Sequence, residues 1–566
     1  MPFDLRRRSN SRCGALALLL SCTSGSKGEG SSRSGVDDTS AAEGSATDTS
    51  VAVGEPGVED TDTGHGDDGG PTDSGHVDDT GSGCAACTVV ELDAGDYTTL
   101  TASYEDPSTT GGTSLGYTLA LTSDIWGDGR PEIVSSSSYV DGYYGVATTY
   151  IFDSDYFSTG PKDGIASDEA RIQIDTENLS GSSLPSVIGD IDGDGLDELT
   201  LSYDFFGSAS ILIRGEHLAT LSGRIRREDL DASADMTFTN CPPGYTGNFA
   251  LVNHSGFLSD ASRLSPDLVV ACYGTIVVVH SSELSDGIVT LAEEGQVRIY
   301  NTDTWAGEPV VENDTLFMSS VLGDLDGDGL DELAIPMFTT TAAYNYVFYG
   351  GSLDFESPSS VFDADITLAA PSTISWGDHY VYYFKPTPLG DVDGDGVADV
   401  LWCADYAEVD GRGDVGTAWL WSGSRLASPM VGDVGDADVT FTAEMWGASV
   451  GQSAADAGDA DGDSLSDLLI HSTGYDPDDS DTPKPFVHLV RGAELSGGGI
   501  YNLEHTGISF IGTGSGLPRR GSDTGEYVGG QDIDGDGVSD ILIGNGDWSR
   551  GATGRIWMIP GGTLPL

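Results

Sequence analysis

Residues 190–198 read Asp190-Ile-Asp192-Gly-Asp194-Gly-Leu-Asp-Glu198, and the pattern returns down the chain. It recurs as Asp324-Leu-Asp326-Gly-Asp328-Gly-Leu-Asp-Glu332 and as Asp391-Val-Asp393-Gly-Asp395-Gly-Val-Ala-Asp399. Two more copies are Asp459-Ala-Asp461-Gly-Asp463-Ser-Leu-Ser-Asp467 and Asp532-Ile-Asp534-Gly-Asp536-Gly-Val-Ser-Asp540. A worn copy stands earlier, Asp124-Ile-Trp126-Gly-Asp128-Gly-Arg-Pro-Glu132. Successive copies start roughly 67 residues apart, except for one gap about twice that length after residue 190. A lost copy therefore belongs near residue 258. The sequence there, Ser259-Asp-Ala-Ser-Arg-Leu-Ser-Pro-Asp267-Leu-Val-Val, keeps the trailing Asp and strand and has lost the other acids.

Each unit has one grammar. A Gly-containing strand such as Tyr527-Val-Gly-Gly leads into the acidic loop, and a second strand such as Asp540-Ile-Leu-Ile leaves it. A third strand resembles Gly554-Arg-Ile-Trp-Met-Ile and a fourth resembles Asp438-Val-Thr-Phe-Thr. No long helical periodicity interrupts them. Four strands per unit and seven units predict an all-β fold, a seven-bladed β-propeller. The last unit ends at Leu566 after its third strand. Thr98-Thr-Leu-Thr-Ala-Ser-Tyr104 is expected to supply its fourth strand and close the ring, which removes exposed edges.

The loops have the chemistry of a calcium site. Ca²⁺ takes six to eight oxygens at ~2.3–2.6 Å. Aspartates at positions 1, 3 and 5 of a tight turn converge on one point. Gly at position 6 allows the positive φ that side chains resist, and position 9 adds a last carboxylate. The expected ligands are Asp190, Asp192, Asp194 and Glu198; Asp324, Asp326, Asp328 and Glu332; Asp391, Asp393, Asp395 and Asp399; Asp459, Asp461, Asp463 and Asp467; and Asp532, Asp534, Asp536 and Asp540. The worn loop keeps Asp124, Asp128 and Glu132, so about five or six ions are expected. An EF-hand needs a bidentate Glu at position 12 between helices. Position 12 here is Leu201, Ile335, Trp402, Ile470 or Ile543, each in a β-patterned run. Mg²⁺ is disfavoured because it keeps several waters and few carboxylates.

The units resemble FG-GAP repeats, the blades of integrin α-subunit propellers and of many bacterial surface proteins. The resemblance covers roughly residues 96–566, with Trp446-Gly447 where Phe-Gly is usual and Ile543-Gly-Asn545 where Gly-Ala-Pro is usual. It implies a ligand face opposite the acidic loops. Aromatic residues placed there by the strand order include Tyr143, Tyr144, Phe205, Phe206, Trp305, Trp376, Tyr475 and Trp548, and aromatics with Asp and Asn suit sugar stacking or protein contact. Arg412-Gly-Asp414 also falls in such a loop, but a three-residue match arises easily by chance.

The N-terminus reads as an export signal over residues 1–21. Arg6, Arg7, Arg8 and Arg12 precede a short apolar run, Gly14 to Leu20, and Leu19-Leu20-Ser21-Cys22 resembles a bacterial lipobox. Cys22 is then the expected lipidation site and the membrane contact is through lipid alone. Residues 22–87 form a Ser/Thr/Gly/Asp-rich linker expected to be disordered, because it has too little apolar surface to offset its ordering entropy. The propeller is expected over residues 88–566. Cys84-Ala-Ala-Cys87 reads as a small local disulfide, and Cys241 with Cys272 is a candidate second bridge.

The formal net charge of −68 repels phosphate backbones, which argues against nucleic acid as a partner. Gly112-Thr-Ser114-Leu-Gly116 matches a nucleophile-elbow pattern but enters a β-blade rather than a strand-to-helix turn. No catalytic constellation is identified, so an enzyme is not expected. The sequence is read as a monomeric, calcium-stabilised adhesion or interaction module of the bacterial cell envelope, with a protein or glycan ligand. An outer-membrane or cell-surface lipoprotein is the expected location, with a periplasmic or secreted protein as the alternative. A carbohydrate-binding propeller is the second reading, and a propeller lyase or hydrolase the third.

Overall fold

The strands pair into seven five-stranded sheets and one two-stranded ribbon, Thr304–Trp305 with Glu308–Pro309. This is a β-propeller, seen in a computed structural model whose described residues lie within one compact unit and run from residue 88 to residue 564. Residues 1–87 and 565–566 lie outside the description. So do 93–96, 102–114, 203–208, 240–249, 259–265, 310–318, 372–383, 512–526 and 546–553, with shorter breaks elsewhere. The expected export signal, Cys22, the linker, Cys84, Cys87, Cys241 and Ser114 therefore fall outside the described residues. Among the described residues no helix is long and apolar enough to cross a membrane.

Each sheet has an antiparallel four-stranded meander, and in six of the seven the first two strands flank an acidic loop. Thr118–Leu121 pairs with Ile133–Asp141 across the worn loop, and Tyr527–Gln531 pairs with Asp540–Asn545 across the last one. The first strands face the middle. Around the ring each touches the next sheet, and Tyr527–Gln531 meets both Ala454–Gly458 and Thr118–Leu121, so the circuit closes.

The expected count of seven like blades needs one correction. Six blades, rather than seven, take their four meander strands from one continuous stretch of chain. The remaining sheet is composite. It joins Tyr527–Gln531, Asp540–Asn545 and Arg555–Ile559 to Thr98–Thr101 from the other end of the domain. Thr98 pairs with Met558 and Thr101 with Arg555, in antiparallel register. The physical reason is that a ring of sheets leaves two raw edges unless its ends are stitched together.

A second feature goes beyond four strands per unit. The link between the third and fourth strands of each blade reaches back to the preceding sheet and adds a fifth, parallel strand. Gly223–Arg226, Gly287–Thr290, Met430–Asp433 and Gly499–Asn502 do this for neighbours ending in Ile172–Leu179, Met236–Thr239, Ile366–Ala369 and Val439–Thr442. Ser359–Ser360, Asp163–Ile165 and Thr88–Glu91 complete the set. Every blade is thus strapped to the one before it by backbone hydrogen bonds, with side chains such as Ile288, Val431 and Ile500 left facing solvent.

The core lies between sheets, because each sheet buries both faces. Every neighbouring pair shares one apolar cluster. Trp402 and Trp421 pack with Leu322 and Ile366 in one, and Leu100, Leu542 and Ile556 pack with Ile133 and Phe152 in another. Leu100, from the closing strand, is fully buried. Removing its side chain should cost about 3 kcal/mol, whereas Val431→Ala on an exposed strap should change stability by less than about 0.5 kcal/mol. Denaturant melts of Leu100→Ala and Val431→Ala check the contrast. Deleting residues 88–104 should abolish the cooperative transition.

Candidate functional site

The acidic loops all sit between first and second strands, so they share one face of the ring. Their internal geometry repeats closely. In five of the six loops the carboxylate at position 1 accepts N–H bonds from positions 4 and 6, and in the 459 loop Asp459 accepts from position 6 alone. Gly193 and Gly195 donate to Asp190 at 2.6 and 2.8 Å, and Gly535 and Gly537 donate to Asp532 at 2.6 and 2.8 Å. The position 5 carboxylate accepts the N–H of position 7, as in Leu330 to Asp328 and Val538 to Asp536 at 2.8 and 2.9 Å. Positions 4 and 6 both carry positive φ. Gly193 and Gly195 stand at 81° and 92°, so the sequence reading had identified only the second of two left-handed positions. Ser464 holds the position 6 conformation at φ 76° without being glycine.

Position 9 behaves differently. Glu132, Glu198, Glu332, Asp399, Asp467 and Asp540 are all fully buried. One oxygen of each accepts the N–H of position 2: Ile125, Ile191, Leu325, Val392, Ala460 and Ile533 donate at 2.5–3.1 Å. Those residue-2 side chains are themselves buried and plug the inter-blade core. In the three Asp-terminated loops the other oxygen accepts an N–H from the glycine just past the third strand. Gly423, Gly492 and Gly561 donate to Asp399, Asp467 and Asp540 at 2.9, 3.0 and 2.9 Å. A Cβ on Gly423 or Gly561 would overlap the carbonyl of Ala398 or Ser539, so glycine is required by close approach. In the Glu-terminated loop at 324, Glu332 Oε1 is buried with no hydrogen-bond partner.

Burial pushes these carboxyls up, and the neighbouring acids add to the push. Glu198 and Glu332 are raised to about 8, and Glu132, Asp399, Asp467 and Asp540 to about 7, against the pull of the backbone N–H groups. Ligand oxygens of Asp190, Asp192, Asp194 and Glu198 lie within 4.8 Å of one another, as do those of Asp324, Asp326 and Asp328 and those of Asp124, Asp128 and Glu132. Clustered carboxylate oxygens, four of them in the 190 loop, are the donor set of a hard cation. The residues present fit such an ion.

Several loops carry their own counter-charge. The Arg214 guanidinium pairs with Asp192 and reaches Asp286 at 3.3 Å. In the worn loop, Trp126 replaces the position 3 acid, and the Arg171 guanidinium covers its ring at 4.0 Å. The blade without a loop retains its buried position 9 acid, Asp267, and His280 Nδ1 lies 2.7 Å from its Oδ1. His280 stands directly across from Asp267 in the strand register. The imidazole meets the buried acid from across the register, an arrangement that sequence spacing alone does not reveal.

The opposite face is less fully seen. Tyr143, Phe205, Phe206, Trp376 and Trp548 lie outside the described residues. Tyr144, Trp305 and Tyr475 fall in the strands Tyr144–Phe152, Thr304–Trp305 and Asp467–Asp476. Arg412-Gly-Asp414 is tied down: the Arg412 guanidinium donates to the carbonyls of Ala443 and Glu444 at 3.2 and 2.5 Å, and Ser449 N–H donates to the Asp414 carbonyl. Cys403 is a free, buried thiol.

The raised carboxyls set a pH dependence. In the unfolded chain these groups titrate near ~4. Without metal the folded protein holds their protons until pH reaches the folded values of about 7 and about 8. Their contribution is therefore fully present below roughly pH 4 and lost as pH rises through the folded values. Metal-free protein should melt higher near pH ~5 than near pH ~8, and added cation should raise the melting temperature more at the higher pH. Thermal melts in chelator at the two pH values test this. His280→Ala should cost about 2–3 kcal/mol with or without cation, because it orphans Asp267.

No family model matches the chain, and no curated protein matches it. Among solved structures it is similar to BBS1N in complex with ARL6DN, soaked with lead, at 10% identity and TM-score 0.37, covering 82% of this chain and 98% of that one. It is also similar to the Dos1 propeller, at 11% identity and TM-score 0.34, covering 79% of this chain and 95% of that one. The propeller assignment stands on the strand pairing.

Proposed function

We propose that this chain is a calcium-stabilised β-propeller that acts as a non-enzymatic interaction module on a bacterial cell envelope. The observation that carries the calcium reading is the repeated buried carboxylate at position 9 beside clustered aspartates, with Glu332 Oε1 left unpartnered. Such an oxygen is costly to leave ionised and unsatisfied in the interior. A divalent ion bound to the folded state alone offsets that cost and stabilises by mass action. The ring scaffold holds the loops of the opposite face for a protein or glycan partner. The envelope location rests on the Leu19-Leu20-Ser21-Cys22 sequence, with Cys22 as the lipid-bearing residue.

Calcium added to chelator-treated protein should bind at five or six sites and raise the melting temperature, while magnesium at equal concentration should do little. Calorimetric titration alongside melts measures both. No calcium binding, or a melt indifferent to chelator, would sink the proposal. A glycan array and pull-downs from cell envelopes, each with and without calcium, then decide the class of partner. Metabolic labelling with a fatty-acid analogue should mark the wild-type protein and leave Cys22→Ser unlabelled.

A further inference from the structure

We infer that cation binding in the 391, 459 and 532 loops is coupled through the backbone, with Ser466 and Ser539, the eighth residues of the 459 and 532 loops, as the coupling elements. The inference rests on the calcium reading above. Ser466, eighth in the 459 loop, donates its N–H to the main-chain carbonyl of Asp391 at 2.9 Å. Ser539, eighth in the 532 loop, does the same to Asp459 at 3.1 Å. Each acceptor is residue 1 of the preceding loop, whose carboxylate also gathers that loop's own amides: Asp391 accepts from Gly394 and Gly396, and Asp459 from Ser464. Each donor is joined by a peptide bond to the buried residue 9, Asp467 or Asp540. A cation that draws residues 1 and 9 of one loop together therefore moves atoms that its neighbour holds.

The contact has no slack. A Cβ on Gly390 would overlap Ser466 Oγ, and a Cβ on Gly458 would lie 2.6 Å from Ser539 Oγ. The 459 loop sits in the middle of this arc, and it is also the loop in which Ser464 adopts a glycine-like φ of 76°. Strain of that kind persists only where the surroundings over-determine it, and this loop is hydrogen-bonded to both neighbours, through Ser466 to Asp391 and through Asp459 to Ser539.

The link is cut elsewhere by residue choice. The eighth residue of the 124 loop is Pro131, and the residue before Asp267 is Pro266. Proline has no N–H to donate. The 190 loop reaches the 124 loop by another route, with Ser123 N–H donating to the Asp197 carboxylate at 2.6 Å and Asp197 N–H to Ser123 Oγ at 2.7 Å. It lies outside the 391–459–532 arc and serves as an internal control.

The test is hydrogen–deuterium exchange of the full chain, followed peptide by peptide through a calcium chloride titration after chelation. Ser539→Pro removes the donor and leaves every ligand side chain in place, and proline already occupies the matching position at 131 and 266. The calcium midpoint of the 459 loop should rise about 5-fold or more in Ser539→Pro, with the 190 loop unchanged. Asp532→Asn with Asp536→Asn, which disables the 532 loop without touching the backbone link, should shift the 459 loop the same way. Unchanged 459-loop midpoints in both variants would overturn the coupling while leaving calcium binding intact. Loops that ignore calcium even in the wild type would overturn the calcium reading and the coupling together.

Discussion

One hydrogen bond organises six of the blades: the N–H of loop residue 2 donating to the buried carboxylate of residue 9. It closes the nine-residue turn, places an apolar side chain such as Ile533 or Val392 in the inter-blade core, and starts the second strand at a fixed register. The acceptor is ionisable and fully enclosed, so the same bond that shapes the turn creates an electrostatic debt at the centre of the loop. The clustered aspartates are legible as the other half of that arrangement. On the proposed calcium reading, a cation answers both the buried oxygen and the mutual repulsion of its neighbours. In the blade without such a loop, the buried Asp267 meets the His280 imidazole instead.

Around these turns the ring is held in three ways. Apolar wedges fill the space between sheets, the closing strand Thr98–Thr101 joins the two ends, and the parallel straps tie each blade to its predecessor. These differ in sequence cost. The wedges need buried residues such as Trp402 and Trp421, while the straps work through backbone bonds and accept almost any side chain, as exposed Ile500 and Arg224 in equivalent places illustrate.

That difference explains what could be read in advance. The loops were legible because a metal-type turn demands Asp and Gly at fixed offsets. The closing strand was legible because the last unit stops one strand short and Thr98 begins a matching run. The straps were not, because a four-residue parallel strand bonded through its backbone leaves no periodicity, only an opening glycine such as Gly287 or Gly499 at positive φ. The link from Ser466 to Asp391 was equally hidden, since a main-chain donor carries no side-chain signature except where proline removes it. The aromatic residues proposed for the opposite face belong to inter-strand connections whose length and composition vary from blade to blade, so no repeat pattern constrains them.

The straps also alter what counts as one unit of the molecule. A blade defined by its meander lacks its outermost strand, and a segment that contains the strap carries it for someone else. Cutting the chain between Ile172–Leu179 and Leu184–Val187, for example, therefore parts a sheet from its outermost strand. Adding or removing a whole repeat, by contrast, leaves every junction of the same type, because whichever repeat follows supplies the missing strand. The architecture resists fragmentation while remaining permissive towards changes in the number of repeats, a property that belongs to the overlap between blades and to no blade alone.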